Sequence, residues 1–201
     1  MKPSVFITCQ NFPCKDVRQD QFRVPGVDLD PNQVRVALIS ESAAENPADD
    51  YYAAGNPLFA QTTLLAFQDA GITVNSIQDL LDRGVYLTTA VKCAKTAYGI
   101  ETATINECSW LLEQELNLFP NVVAFLLMGD SAIKALNAIA RRSGQARVIP
   151  AGSTYKIRSG EFCFRNARAF PSYLQAGPSF FIEKSKRKMI AQDIAAAMAL
   201  I

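Results

Sequence analysis

Histidine is absent from the 201-residue sequence. Without imidazole there is no Ser-His-Asp triad, no Cys-His nucleophile and no metal site that needs a histidine ligand. Any general base must be a carboxylate, a lysine, a thiolate or a tyrosine. Long apolar runs are missing too. None reaches the roughly 18 to 20 residues that cross a bilayer. The N-terminus, MKPSVFITCQNFPC, lacks a long apolar core and a small-residue cleavage site, so it does not read as a signal peptide. There is no internal repeat, low-complexity tract or linker. These absences predict one domain spanning residues 1–201, in an intracellular, cytoplasmic, monomeric protein that does not bind membranes. The length suffices for a full core.

Charge of one sign is locally scarce. Net charge is +1, but Asp28 to Asp82 carries nine acidic residues against Arg35 alone. Lys134 to Lys188 carries twelve basic residues against Glu161 and Glu183. Such segregation either focuses a positive field that attracts phosphates or spreads over solvated faces.

What is present is an alternation of strands and helices. Val34 to Ile39 is a β-branched apolar run and reads as a buried strand. Phe59 to Ala70 reads as a helix, with Gly71 just past its end. Val85 to Val91 is a second strand. Thr104-x-x-Glu107 fits a capping box and opens a helix to Leu118. Val122 to Met128 is a third strand, and Asp130 caps a helix to about Arg142. A Ser-Gly pair at 159–160 suggests a hairpin or irregular strand pair, and Arg168 to Phe170 a fourth strand. Glu183 to Leu200 is a final helix. The pattern predicts a three-layer α/β/α fold with a mainly parallel, roughly four-stranded sheet.

Five cysteines stand in the chain. Cys9, Cys14, Cys93 and Cys108 form two pairs, and Cys163 is a spare in an alternating strand. Four thiolates without histidine suit a [4Fe–4S] cluster or an all-thiolate zinc site. Free, partly buried thiols in a reducing compartment are the plainer alternative.

The block order resembles the uracil-DNA glycosylase superfamily, most of all its iron–sulfur-containing bacterial and archaeal class. Two cysteines open the chain. Ser40-Glu41-Ser42-Ala43-Ala44 stands for a Gly-Glu-Ala-Pro-Gly motif. Asp49-Asp50 and Gly55-Asn56-Pro57-Leu58-Phe59 stand for an acidic stretch and a Gly-x-Pro-Phe motif. Tyr86-Leu87-Thr88-Thr89-Ala90-Val91-Lys92-Cys93 matches Tyr-Ile-Thr-Asn-x-Val-Lys-Cys, and Met128-Gly129-Asp130-Ser131-Ala132 a Leu-Gly-x-x-Ala segment. Tyr173-Leu174-Gln175-Ala176 falls at a Tyr-His-Pro-Ser loop.

The resemblance implies DNA as partner, base excision as activity and a [4Fe–4S] cluster on Cys9, Cys14, Cys93 and Cys108. It implies a base pocket lined by Ser42, Leu58, Phe59, Thr89, Ser172, Tyr173 and Gln175. Three departures stand out. Thr89 replaces the asparagine that reads the uracil edge, Leu58 aligns with the stacking phenylalanine with Phe59 beside it, and Leu174 replaces the histidine. A threonine hydroxyl cannot reproduce a planar amide's paired donor and acceptor. Glu41 is the remaining carboxylate for activating water, or a loop-capping group. Tyr51 and Tyr52 either stack on a base or pack locally. Lys184, Lys186, Arg187 and Lys188 open the last helix. Cations there oppose the helix dipole, a cost that DNA phosphate would offset. The alternative function is a non-catalytic nucleic-acid or nucleotide-binding module on the same fold.

Overall fold

The computed structural model describes residues Met1–Ile201. Six strands form one sheet: β1 (Val17–Arg18), β2 (Val36–Ala43), β3 (Val85–Lys95), β4 (Ala124–Met128), β5 (Phe162–Phe164) and β6 (Ala167–Ser172). Their order is β1-β3-β2-β4-β6-β5. The four inner strands are parallel, and both edge strands pair antiparallel. The parallel core is as the alternation predicts. The sheet is mixed and wider than four strands because its edges are very short elements.

Seven helices flank the sheet: α1 (Leu58–Asp69), α2 (Ile77–Asp82), α3 (Thr102–Leu116), α4 (Asp130–Arg142), α5 (Thr154–Ile157), α6 (Ser179–Ile182) and α7 (Lys184–Met198). Inner strands are buried on both faces, so their side chains alternate between two cores. Ala37, Ile39, Phe125 and Leu127 pack with Leu112 of α3 and Leu136 of α4. Val36, Leu38, Leu126 and Met128 pack with Phe67 of α1 and Ile194 of α7. These two cores make the three layers.

Several local expectations need correction. Thr104 does not cap α3 through Glu107. Its hydroxyl donates to the Asp16 carboxylate, which also accepts the Glu101 N–H at 2.6 Å. The N-terminal segment thus caps α3 from outside. Gly129, not Asp130, is the N-cap of α4, at φ +102°, where a glycine is favoured. Asp130 pairs instead with Lys134 at 2.6 Å. The hairpin turns at Arg165 and Asn166, not at Ser159-Gly160. Both have positive φ (51° and 65°), as a two-residue turn between β5 and β6 requires. Cys163 lies on the exposed side of β5. No helix is long and apolar enough to cross a membrane.

Candidate functional site

Parallel α/β sheets present ligands at the carboxyl ends of their strands. Here those ends bring together Glu41 and Ser42 of β2, Thr89 of β3, Ser131 of α4 and the loop after β6. Glu41 pairs with Lys95 Nζ at 3.0 Å and accepts from the Ser131 hydroxyl at 3.5 Å. About a fifth of each side chain in the pair stays open to solvent. Lys95 also donates to the Tyr98 carbonyl, its ammonium 5.7 Å from the Tyr98 ring centroid.

Around this crevice the other candidates are bonded to one another. Tyr51 is 2% exposed. Its hydroxyl donates to Ser40 Oγ at 2.9 Å and accepts from Gln175 Nε2 at 2.8 Å. Its ring lies 5.4 Å from that of Phe59. Gln175 also donates to the Thr63 hydroxyl, while its Oε1 is buried with no partner. Burial pushes the Tyr51 phenol well above its ordinary range, so it remains a neutral donor. Ser172 is fully buried and donates to Asp193 at 2.6 Å. Asp193 pairs with Arg158 at 2.6 Å, and burial raises its carboxyl pKa. Ser42 is buried and Leu58 half-buried at the start of α1. Tyr173 is half-buried, its ring centroid 5.4 Å from Lys186 Nζ. Leu174 lies against Gly129, where an added side chain would meet it.

A polar cavity of about 670 Å³ opens beside this cluster, on the outer edge of β3. Arg23, Asp50, Tyr52, Asn56, Thr88 and Thr89 are among its lining residues. Of the expected base contacts, Thr89 alone lines it, and its hydroxyl donates to the Val91 carbonyl at 2.9 Å. Tyr52 has a backbone role. Its hydroxyl accepts from Leu87 N–H at 3.1 Å and donates to Leu87 O at 3.0 Å. It satisfies the β3 edge where β1, two residues long, does not reach. Burial raises the Asp50 carboxyl pKa, partly opposed by the Arg23 guanidinium. Both tyrosines therefore pack locally, the plainer of the two expectations.

The cysteines behave differently. Cys9, Cys14, Cys93 and Cys108 all line one second cavity, of about 360 Å³. The N-terminal loop brings the first pair, the end of β3 brings Cys93, and α3 brings Cys108 one turn past Thr104. No three cysteine, aspartate or glutamate side chains are close enough to hold a single metal ion. Burial, helped by the neighbouring thiols, pushes Cys93 up to about 12. Burial pushes Cys108 up to about 11 although the Lys92 N–H and ammonium oppose it. Trp110, the sole tryptophan, lines the same cavity.

The basic start of α7 is partly committed. Arg187 pairs with Asp69 and Lys186 with Glu183 at 2.5 Å. Lys184 and Lys188 are exposed.

Residues outside the sequence-based set matter here: Lys95, Lys92, Glu115, Arg158 and Asp193. Lys92 and Glu115 carried a visible signal, since each is a charge within an otherwise buried apolar pattern.

A model of the uracil DNA glycosylase superfamily matches residues 28–192. No curated protein matches the chain. Among solved structures, a wild-type UNG crystal structure from Nitratifractor salsuginis is similar at 15% identity and a TM-score of 0.39. The match covers 83% of this chain and 75% of that one. With the family match spanning most of its length, the chain belongs to the uracil DNA glycosylase superfamily.

Proposed function

We propose that the protein recognises a deaminated base in DNA and hydrolyses its N-glycosidic bond, as a base-excision repair hydrolase. The observation that carries this reading is Glu41. It is an accessible carboxylate at the carboxyl end of a parallel strand, held between Lys95 and Ser131. A carboxylate so held can orient a water and stabilise positive charge developing on the sugar. Lys95 is the cation beside it that can offset negative charge on a departing base, the task Leu174 cannot perform. Thr89, paired across the sheet with Ser40 next to Glu41, also lines the polar cavity and so links it to this carboxylate as the pocket for the flipped base. Lys184 and Lys188 contact phosphate.

We read the four thiols as ligands of a polynuclear cluster rather than of a lone zinc. Four thiolates around one zinc each lie about 2.3 Å from it and so crowd together. In a [4Fe–4S] cluster each thiolate binds a different iron, so the sulfurs stand farther apart. The shared cavity gathers all four thiols, and the family resemblance favours the cluster. Cys9, Cys14, Cys93 and Cys108 would hold the cluster. When bound it would supply a covalent staple between the N-terminal loop, β3 and α3.

A second reading, binding without cleavage, is favoured by one specific observation. Tyr51, Ser172 and Gln175 are bonded to protein partners rather than free for a base. The test is an excision assay with anaerobically purified protein on single- and double-stranded oligonucleotides. They carry uracil, hypoxanthine or xanthine, and alkali cleavage reveals abasic sites. Abasic product supports hydrolysis. Salt-dependent binding without product supports the second reading. Neither binding nor product sinks both.

A further inference from the structure

Lys92 stands in β3 immediately before Cys93, and its side chain is fully buried. Its ammonium pairs with Glu115 of α3, itself fully buried. It also donates to the Thr88 hydroxyl at 2.8 Å and to the Thr89 carbonyl at 2.6 Å. All three ammonium protons are thereby used. Glu115 in turn accepts from Tyr86 at 2.6 Å and from Thr88 at 2.9 Å. The backbone N–H of Lys92 donates to Cys108 Sγ at 3.1 Å.

Cys108 and Glu115 lie about two turns apart on α3, so both face β3. Two bonds thus fix one strand to one helix: the ion pair at one point and the N–H···S contact at the other. A buried ion pair is a weak source of net stability, because desolvation offsets most of its attraction. What it does provide is a defined position.

We propose that Lys92 is a positioning residue for the four-cysteine cavity, its clamp on Glu115 holding the β3–α3 spacing that aims the Cys108 sulfur at the bound metal. The proposal rests on the reading that this cavity takes a cluster. The Lys92 clamp is to Cys108 what an outer hydrogen-bond partner is to any metal ligand: it fixes orientation, and its loss typically weakens metal affinity 10- to 100-fold. The same ammonium holds the Thr88 hydroxyl and the Thr89 carbonyl. Both residues line the other cavity, so one side chain braces the walls of both.

The test compares full-length wild type with Lys92→Met/Glu115→Gln, which removes both charges and leaves Tyr86 an acceptor. Each protein is reconstituted anaerobically with ferrous iron and sulfide. The readouts are iron and sulfide per chain, quenching of Trp110 fluorescence and the rate of iron loss to a chelator. Wild type should retain iron, and the double variant should lose it about 10- to 100-fold faster. Lys92→Gln/Glu115→Gln should lose it as fast, and this second neutral pair serves as the test if the first double variant does not fold. Leu112→Ala, between Cys108 and Glu115 on α3, weakens the core but leaves the clamp intact. It should retain iron like the wild type. Wild-type retention in the charge variants would overturn the proposal while leaving the cluster reading standing. Equal loss in Leu112→Ala would reduce Lys92 to a structural role. Wild type that takes up no iron would overturn both.

Discussion

The crevice at the carboxyl ends of the strands and the four-cysteine cavity were both expected from side chains far apart in sequence, and the fold treats them in opposite ways. In the crevice the candidates satisfy one another: Ser40 with Tyr51, Tyr51 with Gln175, Ser172 with Asp193. In the cysteine cavity four thiols converge with little hydrogen bonding to share; Cys108 takes an N–H from Lys92. Polar groups that find partners inside the protein gain nothing from a ligand unless it replaces those bonds. The converging thiols, raised by burial, must give up protons to bind a metal, which would then tie them down. The first region is bonded shut around a partly open Glu41, and the second gathers four thiols in one cavity.

The largest effect should come from breaking the cysteine cavity. Cys93→Ser or Cys108→Ser should abolish iron and sulfide uptake, read as metal per chain. Chelation should destabilise the loaded wild type by about 2.7 kcal/mol or more, the value for a ligand at a hundred times its Kd. A shift in melting temperature checks this. Because Cys93 and Cys108 are pushed up to about 12 and 11, their thiols are protonated at neutral pH. Uptake should therefore release protons and weaken as pH falls, which calorimetry in buffers of different ionisation enthalpy would detect.

The closed region can be broken at its centre. Tyr51→Phe removes the hydroxyl that joins Ser40 to Gln175 and should cost about 1–3 kcal/mol in denaturant unfolding. If the cost is near zero, the hydroxyl network does not hold the crevice shut. A smaller effect belongs to Asp16, the external cap of α3. Burial raises its pKa, but the hydrogen bonds from the Thr104 hydroxyl and Glu101 N–H win, and the carboxyl is held below the ordinary range. Its contribution is present above the ordinary aspartate pKa and lost as pH falls through the depressed value. Asp16→Asn should cost about 1 kcal/mol at neutral pH, the scale of a lost cap, and flatten the acid limb of the stability profile. Smallest is the phosphate contact. Lys188→Met should lower the slope of log affinity against log salt by about one, without changing base preference.

Much of the fold was legible in the sequence. VRVALI, VYLTTAV and VVAFLLM are apolar runs of strand length, and the helices between them end at glycine or proline. The edges were not legible. β1 has two residues, too few to carry a period, and it exists because Val17 and Arg18 meet Lys95 and Ala94, far along the chain at the end of β3. The turn at Arg165-Asn166 lacks a glycine, so the nearby Ser-Gly pair is the more conspicuous signal. The Ser76-Asp79 capping box of α2 differs from the common pattern by an aspartate at its third position. At the site, the meeting of four cysteines was legible because the lack of histidine and the family resemblance both pointed to a four-thiolate group. The closure by Tyr51 was not. A tyrosine in a polar loop reads the same whether it faces a base or turns inward to Ser40.

Under the proposed function Glu41 serves cleavage rather than loop structure. The most direct measurement is single-turnover excision by wild type and Glu41→Gln, on whichever modified oligonucleotide the wild type cleaves. The Lys95 pair is partly exposed, and such pairs contribute about 1 kcal/mol or less, so the variant should fold and bind DNA normally. The expected result is unchanged binding with excision reduced at least a hundredfold, about 2.7 kcal/mol of transition-state stabilisation. Equal excision rates in the two proteins would contradict the role given to Glu41.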